Sequence, residues 1–114
     1  MRAYELMVIF DGGLDDSTIQ RFLNRMTETI ESNGAILAKT DKWGRRKFAY
    51  EINHKTEGFY VVLEFVAESG ALVDELDRML RIADEIVRHK TVRLPDAEAD
   101  RRGLLGGGVP ADAG

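Results

Sequence analysis

The chain has 114 residues, no cysteine, a formal net charge of −4 and 44% hydrophobic residues. This length predicts one domain with a hydrophobic core, and the lack of cysteine excludes disulfides, thiolate catalysis and thiolate metal sites. The longest strongly apolar run near the start, Leu6–Phe10, is far too short for a signal-peptide core or a membrane span. We therefore expect a cytoplasmic protein with no membrane partner.

The spacing of apolar residues and turn residues predicts six elements of secondary structure. In chain order we expect a strand at 3–10, a helix from Asp15 or Asp16 to about Ser32, a strand at 35–40 that bends at Gly44 and resumes at 48–52, a turn at 53–57, a strand at 59–66, a helix from Gly70 to about Asp84, and a strand at 86–94. This βαββαβ order predicts an α+β, ferredoxin-like fold, in which a four-stranded antiparallel sheet carries two helices on one face. We assign this domain to residues 1–95 and expect the Gly/Ala/Asp-rich segment 96–114 to be a disordered tail.

The face of the sheet without helices is expected to be open. Strand alternation places four apolar or aromatic side chains on it: Met7, Ile9, Tyr60 and Val62. An exposed apolar patch of this kind usually marks an interface, so we expect a partner there. The alternative is that the C-terminal tail or a second copy of the chain covers this face.

Basic residues are concentrated in two places although the chain is acidic overall. Segment 41–52 combines four basic residues with three aromatic ones, and segment 88–93 is a second basic cluster. Cations interleaved with aromatic rings are typical of a surface that binds a phosphate backbone. The alternative is a set of solvated strand-edge charges that discourage aggregation.

No pattern in the sequence predicts catalysis, a cofactor or a metal site. His54 and His89 are far apart and have no carboxylate at ligand spacing, and the acidic clusters are typical of helix caps and solvated faces. The third strand has Gly58, Phe59 and Val62 in common with the RNA-recognition motif but lacks the stacking pair of that motif. We therefore expect neither an enzyme with a small-molecule substrate nor base recognition by the sheet.

Three segments resemble the bacterial small-subunit ribosomal protein six family. They are the start, Met1-Arg2-Ala3-Tyr4-Glu5, the middle, Trp43-Gly44-Arg45-Arg46-Lys47-Phe48-Ala49-Tyr50-Glu51-Ile52-Asn53, and the end, Leu80-Arg81-Ile82 to Val87-Arg88-His89-Lys90-Thr91-Val92-Arg93. In the middle segment, Glu51 stands where the family usually has Pro. The resemblance covers residues 1 to about 94. It implies a non-catalytic ribosomal protein that pairs with small-subunit ribosomal protein eighteen and binds the central domain of small-subunit ribosomal RNA.

The resemblance also implies particular RNA contacts. Carried over by position, these are Arg2, Tyr4, Arg46, Arg88 and Arg93, and charge alone adds Arg45, Lys47 and Lys90. The alternative function is a small-molecule-sensing or regulatory ferredoxin-like domain that forms a homodimer through its open sheet face. The basic cluster at Lys42–Lys47 favours RNA binding, because a sensor has no need of it.

Overall fold

The computed structural model describes residues 1–104. Its elements are β1 (Arg2–Asp11), α1 (Asp16–Ser32), β2 (Ile36–Ile52), β3 (Lys55–Ala67), α2 (Ala71–Ile82), β4 (Ile86–Arg93) and α3 (Asp96–Arg101). The strands form one antiparallel sheet in the order β2-β3-β1-β4. This arrangement confirms the predicted ferredoxin-like fold.

The main hydrophobic core lies between the two long helices and one face of the sheet. Helix α1 buries a stripe at three- and four-residue spacing, and the ring of Phe22 meets that of Phe10 edge-on at 5.6 Å. The helix begins as predicted, because the Asp15 carboxylate accepts a hydrogen bond from the Thr18 N–H at 3.0 Å. It ends before Gly34, whose φ of 76° suits a residue without a side chain.

Strands β2 and β3 form a long hairpin that differs in two ways from the sequence prediction. Strand β2 is continuous through Gly44, where the pairing with β3 shifts register and φ is 95°. A bulge is therefore present at the predicted bend, but it does not divide the strand. The predicted turn at 53–57 is wrong in length, because Asn53 and His54 form a two-residue turn with φ of 50° and 63°, and β3 begins at Lys55.

The C-terminal segment also differs from the prediction. The expectation of disorder from residue 96 is wrong for its first part, since α3 forms there and packs on the sheet. Ala99 and Leu104 are buried in a second small core with Ala3 and Val66, on the face opposite the long helices. The expected tail therefore covers one end of the open face. The remaining part of that prediction, 105–114, lies outside the described residues.

Candidate nucleic-acid and protein interface

The open face carries two neighbouring rows of apolar and aromatic side chains across the central strands. Ile9 of β1 lies directly opposite Tyr60 of β3, and Met7 lies opposite Val62. These four residues are here called the apolar rows. Their predicted placement on the open face is confirmed. Ile9 and Val62 are only 9% and 8% exposed, so the accessible part of the apolar rows comes mainly from the half-buried Met7 and Tyr60.

Strand β4 adds cations to one side of the apolar rows. Arg88 pairs with Ile9 and Lys90 pairs with Met7, and both cationic residues are exposed. Together with His89 they line a cavity of about 300 Å³ whose floor is formed by the two β1 residues. The sequence did not assign the side chains of β4 to a face of the sheet. The pairing of β4 with β1 places Arg88 and Lys90 on the open face.

Strand β2 adds a cation and two aromatic rings to the other side. The Arg46 guanidinium lies over the Trp43 ring, 5.6 Å from its centroid, and Trp43 is 44% exposed. The indole N–H of Trp43 donates a hydrogen bond to Asp41 at 3.1 Å, which fixes the orientation of the ring. Phe48 packs edge-on against Tyr60, with centroids 6.4 Å apart. The open face thus combines exposed aromatic surface with cations on both margins.

Arg45 has a structural role, and its assignment as an RNA contact stays a prediction from charge alone. Its side chain points to the helix side of the sheet, where it donates to the carbonyl oxygens of Gly12 at 3.1 Å and Leu14 at 2.7 Å. It also forms an ion pair with Asp16 at 2.9 Å and lies over the ring of Phe59. These contacts within the chain occupy the guanidinium that charge counting had treated as free.

The expected exposure of Tyr4 is corrected, because the structure buries this residue. Its side chain is 5% exposed and its ring stacks on Phe65 with centroids 5.4 Å apart. The alternation along β1 puts Tyr4 on the same face as Leu6, under the helices, so the ring is not available to RNA. Tyr4 belongs to the hydrophobic core.

The remaining predicted cations lie away from the apolar rows. Arg2 and Arg93 are exposed at the other end of the sheet, and a guanidinium nitrogen of Arg93 is 4.0 Å from the Asp96 carboxylate. At about 3.4 Å per residue, Arg2 lies about 24 Å along β1 from Ile9. Lys47 is exposed on β2, towards the hairpin turn. The predicted RNA contacts therefore do not form one continuous site.

A charged cluster that the sequence analysis missed borders the apolar rows. Glu5 and Glu64 lie directly opposite each other on β1 and β3, and Nη1 of Arg102 is 3.1 Å and 2.6 Å from their carboxylates. Nε of Arg102 donates to Glu98 at 2.9 Å, and this bond lowers the pKa of Glu98 below its usual value. The contacts between Arg102 and the sheet join residues up to 97 positions apart, so no local pattern could have predicted them.

The two histidines have ordinary structural surroundings. His89 bonds Asp77 of α2 at 2.8 Å, and His54 is exposed in the hairpin turn. Within residues 1–104, no group of three or more His, Asp or Glu side chains is placed to hold a metal ion. Each helix in this range is too short or too polar to span a lipid bilayer.

Comparisons with known proteins agree with the fold and with the sequence resemblance. The family model described as Ribosomal protein S6 matches residues 3–93. Small ribosomal subunit protein bS6 of Salinispora tropica is 45% identical over 93 residues, which are 82% of this chain and 96% of the relative. The protein of the same name from Desulforamulus reducens is 42% identical, with coverage of 82% and 97%.

A solved structure gives the same result. The crystal structure of 30S ribosomal protein S6 from Thermotoga maritima aligns with a TM-score of 0.79 and 33% identity. The alignment covers 90% of this chain and 96% of the Thermotoga chain. The chain therefore belongs to the ribosomal protein S6 family.

Proposed function

We propose that the protein binds the central domain of small-subunit ribosomal RNA together with small-subunit ribosomal protein eighteen. Its family makes it a structural component of the small ribosomal subunit, located in the cytoplasm with the ribosome, and not an enzyme. Family membership also favours this function over a small-molecule sensor. The observation that carries the proposal is the placement of exposed cations on both margins of the apolar rows.

The apolar rows are the surface that we assign to protein eighteen. Met7 and Tyr60 are half-buried and accessible, whereas their cross-strand neighbours Val62 and Ile9 are buried. Burial of such surface against a second protein is favourable by about 25 cal/mol per Å² of apolar area. Aromatic residues at the centre of an interface contribute most, so Tyr60 is the expected anchor.

The margins of the open face are the surfaces that we assign to RNA. Arg46, Arg88 and Lys90 are exposed and can pair with phosphate groups, with the arginines doing so through two hydrogen bonds at once. Trp43 offers a ring on which an unpaired base can stack. Phosphate contacts fix position on the RNA and follow its shape more than its sequence.

Arg2 and Arg93 supply a second set of phosphate contacts at the other end of the sheet. Both are exposed, and the 4.0 Å approach of Arg93 to Asp96 leaves its guanidinium accessible. Two separated sets of contacts suit a large folded RNA, because each alone is too weak for tight binding. Lys47 remains a candidate from charge and exposure alone.

A salt series tests the RNA part of the proposal. Binding to a central-domain RNA fragment, with and without protein eighteen, is expected to be tight and salt-sensitive only when both proteins are present. Arg46→Ala should weaken binding and lower the slope of log K against log salt by about one phosphate contact. Arg78→Ala, on the exposed surface of α2, is the matched control and should leave the slope unchanged. An unchanged slope in Arg46→Ala removes this residue from the site.

A pair of tyrosine variants tests the protein part. Tyr60→Ala should weaken binding of protein eighteen by about tenfold or more, as expected for an aromatic anchor. Tyr50→Ala removes a ring that is 71% exposed on the hairpin, away from the apolar rows, and should change affinity less than twofold. Equal effects of the two substitutions would exclude the apolar rows as the interface.

A further inference from the structure

The segment Pro95–Leu104, here called the C-terminal cover, folds back over one end of the open face. Ala99 is fully buried and Leu104 is 3% exposed, and both pack against Ala3 and Val66 of the sheet. The cover therefore occupies area on the same face as the apolar rows.

At the border with the apolar rows, one arginine of the cover forms ion pairs with the sheet. Glu5 and Glu64 lie side by side, an arrangement of like charges that destabilises a sheet unless a cation lies between them. Arg102 supplies this cation to both carboxylates through contacts of 3.1 Å and 2.6 Å, whereas Lys39 of β2 pairs with Glu64 alone. The next apolar pair along the open face is Met7 with Val62, so the cover ends where the apolar rows begin.

Few contacts stabilise the docked position of the cover on the sheet. Helix α3 has only six residues, and no side chain caps its N-terminus. Helices of this length do not form alone in water, and ordering each residue opposes docking. Besides Arg102, the contacts that favour docking are the burial of two small or medium side chains, Ala99 and Leu104, and a 4.0 Å ion pair between Arg93 of β4 and Asp96. A segment held in this way is open for part of the time.

We propose that the C-terminal cover is a displaceable occupant of the open face, which protein eighteen removes when it binds the apolar rows and extends beyond them over Glu5 and Glu64. This inference rests on the protein partner in the proposed function and adds a chemical preference to it. Displacement takes Arg102 away from Glu5 and Glu64 and leaves Lys39, which pairs with Glu64, as the neighbouring cation of this chain. A partner that brings a Lys or Arg side chain to Glu5 is therefore favoured, and the cover competes with it in cis.

The fastening role of Arg102 is tested first in the free protein. Arg102→Ala should release residues 96–104, with backbone order parameters falling below about 0.6 while those of the sheet stay near 0.85. Arg101→Ala is the matched control, because Arg101 contacts Glu98 but not the sheet, and its cover should stay docked. Leu104→Ser provides a second release variant that keeps the charges. A docked cover in both Arg102→Ala and Leu104→Ser overturns the inference.

A titration with protein eighteen then tests displacement. In the wild-type protein, the amide signals of residues 96–104 should move to disordered positions as the partner binds. Arg102→Ala should bind about tenfold or more tightly, since the open form of a two-state segment is commonly populated at 10% or less. If protein eighteen binds while the cover stays docked, or binds both proteins with equal affinity, the displacement proposal is wrong and the proposed function still stands. Failure of both proteins to bind overturns the proposed partner and the inference with it.

Discussion

Nε2 of His89 lies 2.8 Å from Oδ1 of Asp77, and this bond joins strand β4 to helix α2 on the side of the sheet away from the open face. The His89 side chain is 15% exposed, so the contact is partly shielded from water. The bond lowers the pKa of the Asp77 carboxyl, with a further contribution from Arg81 at 3.1 Å. Strand β4 thus presents Arg88 and Lys90 to the open face, and on its opposite face His89 links the strand to helix α2.

The bond between His89 and Asp77 predicts a pH dependence of stability. A carboxyl whose pKa is lowered on folding stabilises the protein above its ordinary pKa of 3.8, and this contribution disappears as pH falls through the folded value. Asp77→Asn should therefore have a lower urea midpoint than wild type at pH 7, with the difference shrinking below about pH 4. Asp74→Asn, on the same helix, should change the midpoint little at either pH. A difference for Asp77→Asn that is equal at pH 7 and pH 3 would contradict this account.

Two adjacent arginines are expected to differ in their effect on stability. Arg45→Ala should lower the free energy of unfolding by about 1–2 kcal/mol, because it removes the bonds to the Gly12 and Leu14 carbonyls. Arg46→Ala should stay within about 0.5 kcal/mol of wild type, since its contact with Trp43 is at the surface. Urea denaturation of both variants measures the contrast. Equal stabilities of the two variants would show that the Arg45 contacts do not stabilise the fold.

Tyr4 provides a test of core packing against RNA contact. Tyr4→Ala should destabilise the protein by about 3–5 kcal/mol, because it opens a cavity beside Phe65. Tyr4→Phe keeps the stacked ring and should have near-wild-type stability and RNA affinity. Weaker RNA binding by a fully folded Tyr4→Phe protein would show that the hydroxyl reaches the RNA and would reverse our correction.

The parts of the fold that the sequence predicted correctly depend on short-range patterns. Alternation along β1 identified the facing of Met7 and Ile9, and the Asp15 cap marked the start of α1. These features are encoded within a few residues, so one sequence is enough to recognise them. The three segments that carry the family resemblance are likewise short and continuous in the chain.

The features that the sequence did not predict depend on contacts between distant segments. A Gly- and Ala-rich composition gave no sign of α3, because its stability comes from Ala99 and Leu104 meeting the sheet and from Arg102 meeting Glu5. Likewise, counting charges cannot tell that Arg45 donates to backbone carbonyls whereas Arg46 lies over the exposed ring of Trp43. Candidate RNA contacts chosen by charge therefore need the tertiary structure to separate structural cations from accessible ones.

Gly44 is expected to be required for the local course of β2. Its φ of 95° lies in the left-handed region, and the register of β2 against β3 shifts between Lys42 and Gly44, at Trp43. An added Cβ would meet no atom within 4 Å, so the effect of Gly44→Ala isolates backbone strain from steric clash. We expect a loss of about 1–2 kcal/mol in the free energy of unfolding.

Gly70 is the matched control for this substitution. An added Cβ would also meet open space there, but the φ of −76° suits any residue, so Gly70→Ala should be neutral or stabilising by about 0.4–1 kcal/mol. Urea denaturation of both variants gives the comparison. Equal stability of the two would mean that β2 can relax at residue 44 without cost. In that case the bulge would not be what fixes Trp43 and Arg46 on the margin of the open face.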